Sequence, residues 1–247
     1  MDLNTIYIVW LRDIIRYFRQ RTQLYGSIPR PILWLFILGL GLKPSFRMVE
    51  GYNYTQFIFP GIIAMTLIFT AIQSAISIIW DREFGFLKEI LVAPVPRTAI
   101  ALGKAFAGST LSVIQGSIIL IFTPFVKVHI TWYGILALLP VMFLISFALA
   151  GIGIIIAARM TSFEGFGTFM NFIIMPMFFL SGAMFPLAGL PSWLKIIVRM
   201  NPLTYGVDIL RKVILGISTF PAIFDLSFLL AFGTIAVFFA VLLFNRE

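Results

Sequence analysis

The sequence predicts an all-α integral membrane protein. Six transmembrane helices are expected, with an amphipathic interface helix before the first and a re-entrant helical hairpin before the last. Three observations lead there. Hydrophobic residues fill 60% of the 247 positions and charged residues only 11%, against about 45–50% and about 25% in soluble domains. Charge-free runs cover 31–42, 51–80, 105–126, 128–158, 165–194 and 226–245, and about 20 helical residues cross a bilayer core. Outside those runs, charges and large apolar residues mix at helical spacing.

Residues 3–20 come first. At 100° per residue, Thr5, Arg12, Arg16 and Arg19 share one side, and Tyr7, Trp10, Leu11, Ile14 and Phe18 the other. Such a helix lies in the interface plane. It serves as a membrane anchor, or its exposed face also touches a cytoplasmic partner. The spans are expected at 24–42, 57–80, 99–126, 132–158, 166–185 and 222–244. The first requires Arg30 to snorkel from the inner leaflet. No secretory signal is expected, because Arg12, Asp13, Arg16 and Arg19 interrupt the first twenty residues.

Between the second and third spans, residues 82–92 place Phe84, Leu87 and Leu91 on one side, among Arg82, Glu83, Lys88 and Glu89, with Gly85 between them. Pro94 and Pro96 then stop the helix. The segment is either a solvated cap or a docking helix, and its apolar residues favour docking. The turn at 159–168 is a short connection on the same side.

Residues 186–216 are too interrupted to span and too apolar for water. Gly182, Pro186, Gly189, Pro191 and Pro202 punctuate the region. Two short amphipathic helices are expected, at 190–199 and 202–215, with Asn201 as an N-cap, Pro202 at the first helical position and Asp208 paired with Lys212. They form either interfacial packing or a lid that dips into the outer leaflet, shielded by protein.

With an even number of spans, Lys and Arg choose the orientation. Termini inside puts 11 on the cytoplasmic side and 7 outside, or 3 outside without the 186–216 segment. Both termini are therefore expected in the cytoplasm, in the inner membrane. The net charge of +8 is read as basic flanks meeting anionic lipid, without nucleic acid.

Catalytic chemistry is not expected. The chain has no Cys and one His, His129, so neither thiolate chemistry nor a metal cluster is predicted. Gly103-Lys104 is followed by Ala105, and Thr98 stands where a phosphate-binding loop needs its first glycine. No carboxylate is expected deep in a span. Energy for transport must then come from another polypeptide.

The chain resembles the ABC-2 type transporter permeases, the membrane subunits of ATP-driven exporters. The residues that carry this are the amphipathic start, Tyr54 through Ile62, and Asp81 through Gly85 with Val92 through Arg97. Ser181 through Pro186, Asn201 through Tyr205, and Leu210-Arg211 complete the set. The resemblance implies one transmembrane domain over 1–247 that pairs with a second copy or a related permease. It also implies a soluble nucleotide-binding subunit that binds ATP and Mg, this chain holding no cofactor.

On this resemblance 82–92 is the coupling helix, with Arg82, Glu83, Phe84, Gly85, Leu87, Lys88, Glu89 and Leu91 meeting the ATPase. Trp10, Arg12, Arg16 and Arg19 belong to the interface helix. Pro186, Pro191, Trp193, Pro202, Tyr205 and Arg211 belong to an outer gate. Family cargo includes drugs, lipids and oligosaccharides, and the Phe-rich spans are similar to the drug and lipo-oligosaccharide branch. The alternatives are a membrane-embedded enzyme, which needs clustered acids at one interface, and a secondary carrier, which needs ionisable residues at mid-bilayer.

Overall fold

The computed structural model describes residues 2–20, 25–41, 48–85, 96–160, 162–187 and 189–244. Among them no strand forms; Val49 and Tyr52 make a single β-bridge. The helices are α1 (Leu3–Arg19), α2 (Pro29–Gly41), α3 (Tyr54–Ser74), α4 (Ile76–Glu83), α5 (Arg97–Leu120) and α6 (Thr123–Val126). They continue with α7 (Trp132–Arg159), α8 (Phe163–Phe179), α9 (Ser192–Met200), α10 (Pro202–Leu215) and α11 (Ala222–Phe244).

One helix organises the rest. Every residue of α3 from Phe57 to Ile72 is buried, because α2, α5, α7, α8 and α10 all pack on it. Its first turn is fixed by the Asn53 amide donating to Gln56 Oε1 at 3.1 Å. With α4 it makes a 30-residue apolar run, Tyr54–Glu83, bent at Ala75. At about 1.5 Å per residue this run is roughly 45 Å long. It is long enough to cross a bilayer core with residues to spare.

Three runs among the described residues are long and apolar enough to cross a bilayer: Tyr54–Glu83, Trp132–Arg159 and Ala222–Leu243. The helix α8 has 17 residues and α2 has 13. Proline and glycine set these lengths. The helix α8 stops at Leu180, before Gly182 at φ +75°, short of the expected 185. The segment that feeds α5 enters at Pro96, and α5 itself ends at Leu120, before the separate turn α6.

Hydrophobic surface turned outward identifies the surrounding medium. On α11, Ile223, Leu230, Ile235, Phe238 and Phe239 are exposed, as are Phe169 and Phe172 on α8. A water-facing helix does not carry such a surface, so lipid or another protein covers it.

In lipid, helices gain little from hydrophobicity against each other, and close backbone approach between small residues takes its place. Two glycines two residues apart on α7 show this. A Cβ on Gly151 would lie 2.8 Å from Ala236 Cβ of α11, and one on Gly153 would lie 2.9 Å from Ile72 Cα and O of α3. Two residues turn a helix by about 200°, so α7 is gripped on both sides. We expect Gly153→Ala to lower the melting temperature of the detergent-solubilised protein by several degrees, since overpacking costs about 1–3 kcal/mol. Gly167→Ala, with open space around its position, is expected to leave it unchanged.

Candidate functional site

The sequence places Lys104 eight residues into α5, a helix whose other charged residue is Arg97 at its start. The structure supplies its partners. Lys104 is 3% exposed, and its Nζ donates to Asp81 Oδ2 at 2.8 Å, Asp13 Oδ2 at 3.3 Å and Ser77 Oγ at 3.0 Å. These three groups come from α4, α1 and α4 respectively, so a single ammonium ties three helices.

Two arginines complete the cluster. Arg12 Nη2 donates to Asp81 Oδ2 at 2.6 Å and to Asp13 Oδ1 at 3.1 Å. Arg16 Nη1 donates to Asp81 Oδ1 at 3.2 Å. Three cations against two carboxylates leave the cluster one positive charge in excess. Burial pulls the Arg12 pKa down, but Asp13 and Asp81 more than offset this and leave it raised.

Helix α1 presents this cluster because its buried stripe is Thr5, Val9, Asp13 and Tyr17, four residues apart and therefore on one face. Val9 fits against Gly103 of α5, where a Cβ would come within 2.8 Å. Trp10 Nε1 donates to Thr110 Oγ1 at 3.1 Å. Further along, Gln115 Nε2 donates to Tyr17 and to Ser27, and Thr70 donates to Gln115. Arg19 lies exposed in the last turn, and Tyr7, Ile8 and Phe18 are exposed elsewhere along the helix.

The end of α4 is held on its other side as well. Arg82 donates to the carbonyls of Ala157 at 3.3 Å, Ala158 at 3.1 Å and Met160 at 2.5 Å. These carbonyls lie at the C-terminal end of α7, where Ala157 O also accepts from the Met160 amide at 3.3 Å, and a cation there meets the negative end of the helix dipole. Arg82 is thus turned inward against its neighbour helix. Glu83 and Phe84 are exposed. Phe84 stacks on Trp80 at 5.1 Å, Trp80 also meets Phe163 of α8 at 5.0 Å, and Arg16 lies over Trp80 at 5.4 Å. A cavity of about 380 Å³ opens here between Arg12, Arg16, Trp80, Asp81 and Phe84.

The expected helix over 82–92 begins differently from the reading. Arg82 and Glu83 end the long run, and Gly85 at φ +77° breaks it. Leu87, Lys88, Glu89 and Leu91 lie outside the described residues.

The residues of the expected outer gate sit at the opposite end of α3, and the structure divides them. Pro202 opens α10, with Asn201 Oδ1 accepting from the Leu203 amide at 3.0 Å. Tyr205 packs into α11, 4.0 Å from the Phe228 ring, and its hydroxyl donates to Arg199 O at 2.7 Å. Arg211 turns the other way. It lies 4.0 Å over Phe57 of α3 and donates to Gly182 O at 2.9 Å. Pro191 precedes α9, on which Trp193 is exposed; Pro186 lies half-buried after α8.

One expectation is corrected here. Asp208 does not pair with Lys212; its carboxylate accepts from the amides of Thr219 and Phe220 at 2.9–3.0 Å, closing the turn that leads into α11. Asp225, in the first turn of α11, is fully buried, and neither oxygen has a hydrogen-bond partner among the described residues.

Asp13, Ser77, Asp81 and Lys104 are functional candidates that composition and charge runs did not mark. The available signal was Lys104 itself, since an ionisable group within a membrane helix requires a partner. We expect Lys104→Met to destabilise the solubilised protein by about 1.5–3 kcal/mol, the worth of charge-assisted hydrogen bonds that Asp13, Asp81 and Ser77 lose while Arg12 and Arg16 still neutralise the carboxylates. Thermal unfolding should show the loss, and Lys104→Arg should recover part of it.

Three known relatives share most of this chain. A ycf38 transport permease of Cyanophora paradoxa is 32% identical, covering 85% of this chain and 73% of its own. Nodulation protein J of Rhizobium leguminosarum bv. trifolii is 29% identical over 87% of this chain and 82% of its own. The inner membrane transport permease YadH of Escherichia coli K12 is 29% identical over 93% and 88%. The family profile of the ABC-2 type transporters matches residues 4–215, from the first turn of α1 to the end of α10, and the chain therefore belongs to the ABC-2 type transporter family.

Proposed function

We propose that the chain is the membrane permease subunit of an ATP-binding cassette exporter, driven by a separate nucleotide-binding subunit. The observation that carries this reading is the ion cluster of Asp13, Asp81 and Lys104, next to the Arg82 cap. It binds α1, α4, α5 and α7 together beside the segment after Gly85. A force applied to that segment is passed to α4 and, through α4, to the buried run of α3.

The remaining features follow from the same reading. The sequence carries no phosphate-binding loop, so ATP and Mg bind on the partner. The three long apolar runs are joined by α2, α5 and α8 in a six-span subunit, with α9 and α10 as the re-entrant hairpin. The Lys and Arg balance puts the termini and the ion cluster in the cytoplasm of the inner membrane. A second permease copy, or a related one, covers the exposed apolar faces of α8 and α11 and completes the pathway between them. The cargo is amphiphilic, a drug, lipid or lipo-oligosaccharide, released outward past α9 and α10. Transport requires two states that differ in affinity for it.

The alternative, an ion-coupled secondary carrier, needs an ionisable residue at mid-bilayer, whereas Asp225 stands in the first turn of α11. Uphill flux by the chain alone, without nucleotide, would decide for it.

The test uses the permease with its ATPase, reconstituted in proteoliposomes. The wild type should stimulate hydrolysis, and the two should co-purify. Glu83→Lys reverses an exposed charge and should lower stimulated hydrolysis about tenfold or uncouple it from export, with thermal stability unchanged. Full coupling in that variant would remove the end of α4 from the docking role.

A further inference from the structure

A second cavity lies far from the ion cluster. Between Phe57, beneath it, and Asp81 the α3–α4 run extends about 36 Å at 1.5 Å per residue. The cavity measures about 760 Å³ and is walled by Glu50, Lys195, Arg199, Arg211 and the 216–220 turn.

Its charge is unbalanced. Lys195, Arg199 and Arg211 face one carboxylate, Glu50, and among the described residues no ion pair joins Glu50 to any of them. Asp208, on the same helix as Arg211, is committed to the amides of Thr219 and Phe220.

Arg211 is the unusual member. It is 2% exposed, one of its Nη groups is satisfied by Gly182 O, and its Nε has no partner. A buried guanidinium donor left unpaired is costly. The Phe57 ring face offsets part of this but accepts no in-plane hydrogen bond. Burial pushes the Arg211 pKa below the ordinary arginine value, with Glu50 and Asp208 opposing the fall. The group nevertheless stays charged, because an arginine does not deprotonate in a protein.

We propose that this cavity binds a phosphate-type anion, with Arg211 as the buried anchor and Arg199 and Lys195 at the rim. A tetrahedral oxyanion accepts from guanidinium N–H groups in the geometry arginine favours. Arg211 Nε is itself closed off, so the anion meets the guanidinium where Arg211 lines the cavity. The anion is either free or the headgroup of an amphiphile whose chains lie along the exposed apolar side of α9, where Trp193, Ile196 and Met200 are uncovered. The second source rests on the exporter reading above; binding itself does not, since it needs neither the ATPase nor an orientation.

Isothermal titration calorimetry of the full chain in a non-ionic maltoside detergent tests the site. The probes are inorganic phosphate, dihexanoyl phosphatidate and dihexanoyl glycerol. Saturable binding of phosphate and phosphatidate with equal affinity assigns the site to the free anion. Binding of phosphatidate at least tenfold tighter than phosphate assigns it to a headgroup. Dihexanoyl glycerol should not bind in either case. The Lys195→Gln/Arg199→Gln double variant, which alters a half-exposed and an exposed position and leaves the core intact, should weaken binding at least tenfold. Arg211→Gln should abolish it. The proposal is overturned if neither anionic probe binds, if dihexanoyl glycerol binds as well as phosphatidate, or if the double variant binds as the wild type does.

Discussion

A lysine ammonium clasped between two carboxylates inside a helix bundle is the interaction on which the rest of this protein depends. Lys104, Asp13 and Asp81 are all buried, and none could be left alone in an apolar interior. Desolvation makes each charge expensive, and mutual attraction with further hydrogen bonds repays the cost only in good geometry. The hydroxyl of Ser77 and the guanidinium groups of Arg12 and Arg16 supply those further bonds. Such a cluster adds less to net stability than to specificity. It fixes the register of α1 against α4 and α5, because any slide along an axis strands a charge.

Small residues and polar ties act together around α3. Its burial on all sides comes from the five helices packed around it, through close backbone approaches such as that at Gly153. The two ends of the α3–α4 run then differ in chemistry. One end carries the saturated ion cluster and the Arg82 cap, where every cation has an acceptor. The other carries Arg211 with an unmet donor beside a large cavity. A saturated network suits an element that moves as a body, and an unsaturated one suits a place where something binds.

Much of the architecture was legible in the residues. Charge-free runs and their punctuating prolines located α3, α7 and α11, and Asn201-Pro202 located the start of α10 to the residue. These signals are local: length, apolarity and cap chemistry. The helicity of residues 3–20 was legible, but the packed face of that helix was not. The hydrophobic wheel grouped Tyr7, Trp10 and Phe18, whereas the buried stripe is Thr5, Val9, Asp13 and Tyr17. In lipid the more apolar face of a helix can point away from the protein, so hydrophobicity does not identify the packed side. The charge pairs were invisible for a different reason. Asp13 and Asp81 are 68 positions apart in sequence, and only the packing of α1 on α5 brings them to one ammonium. Arg82 was expected to meet a partner, since a charge at a helix end reads as solvated; its contacts with the carbonyls at the end of α7 could not be read from the sequence, because they join residues some 75 positions apart.

The central claim is that α1 and α4 move as one piece when nucleotide acts on the partner. The chain contains no cysteine, so a pair of spin labels can be introduced without background, one at the exposed Tyr7 of α1 and one at the exposed Glu83 of α4. Double electron–electron resonance on the complex in nanodiscs, with and without a non-hydrolysable ATP analogue, then reads the distance between them. The account predicts a single narrow distribution that nucleotide does not shift, and a broadened one in Lys104→Met. A nucleotide-dependent displacement of several ångströms in the protein with Lys104 intact would contradict it.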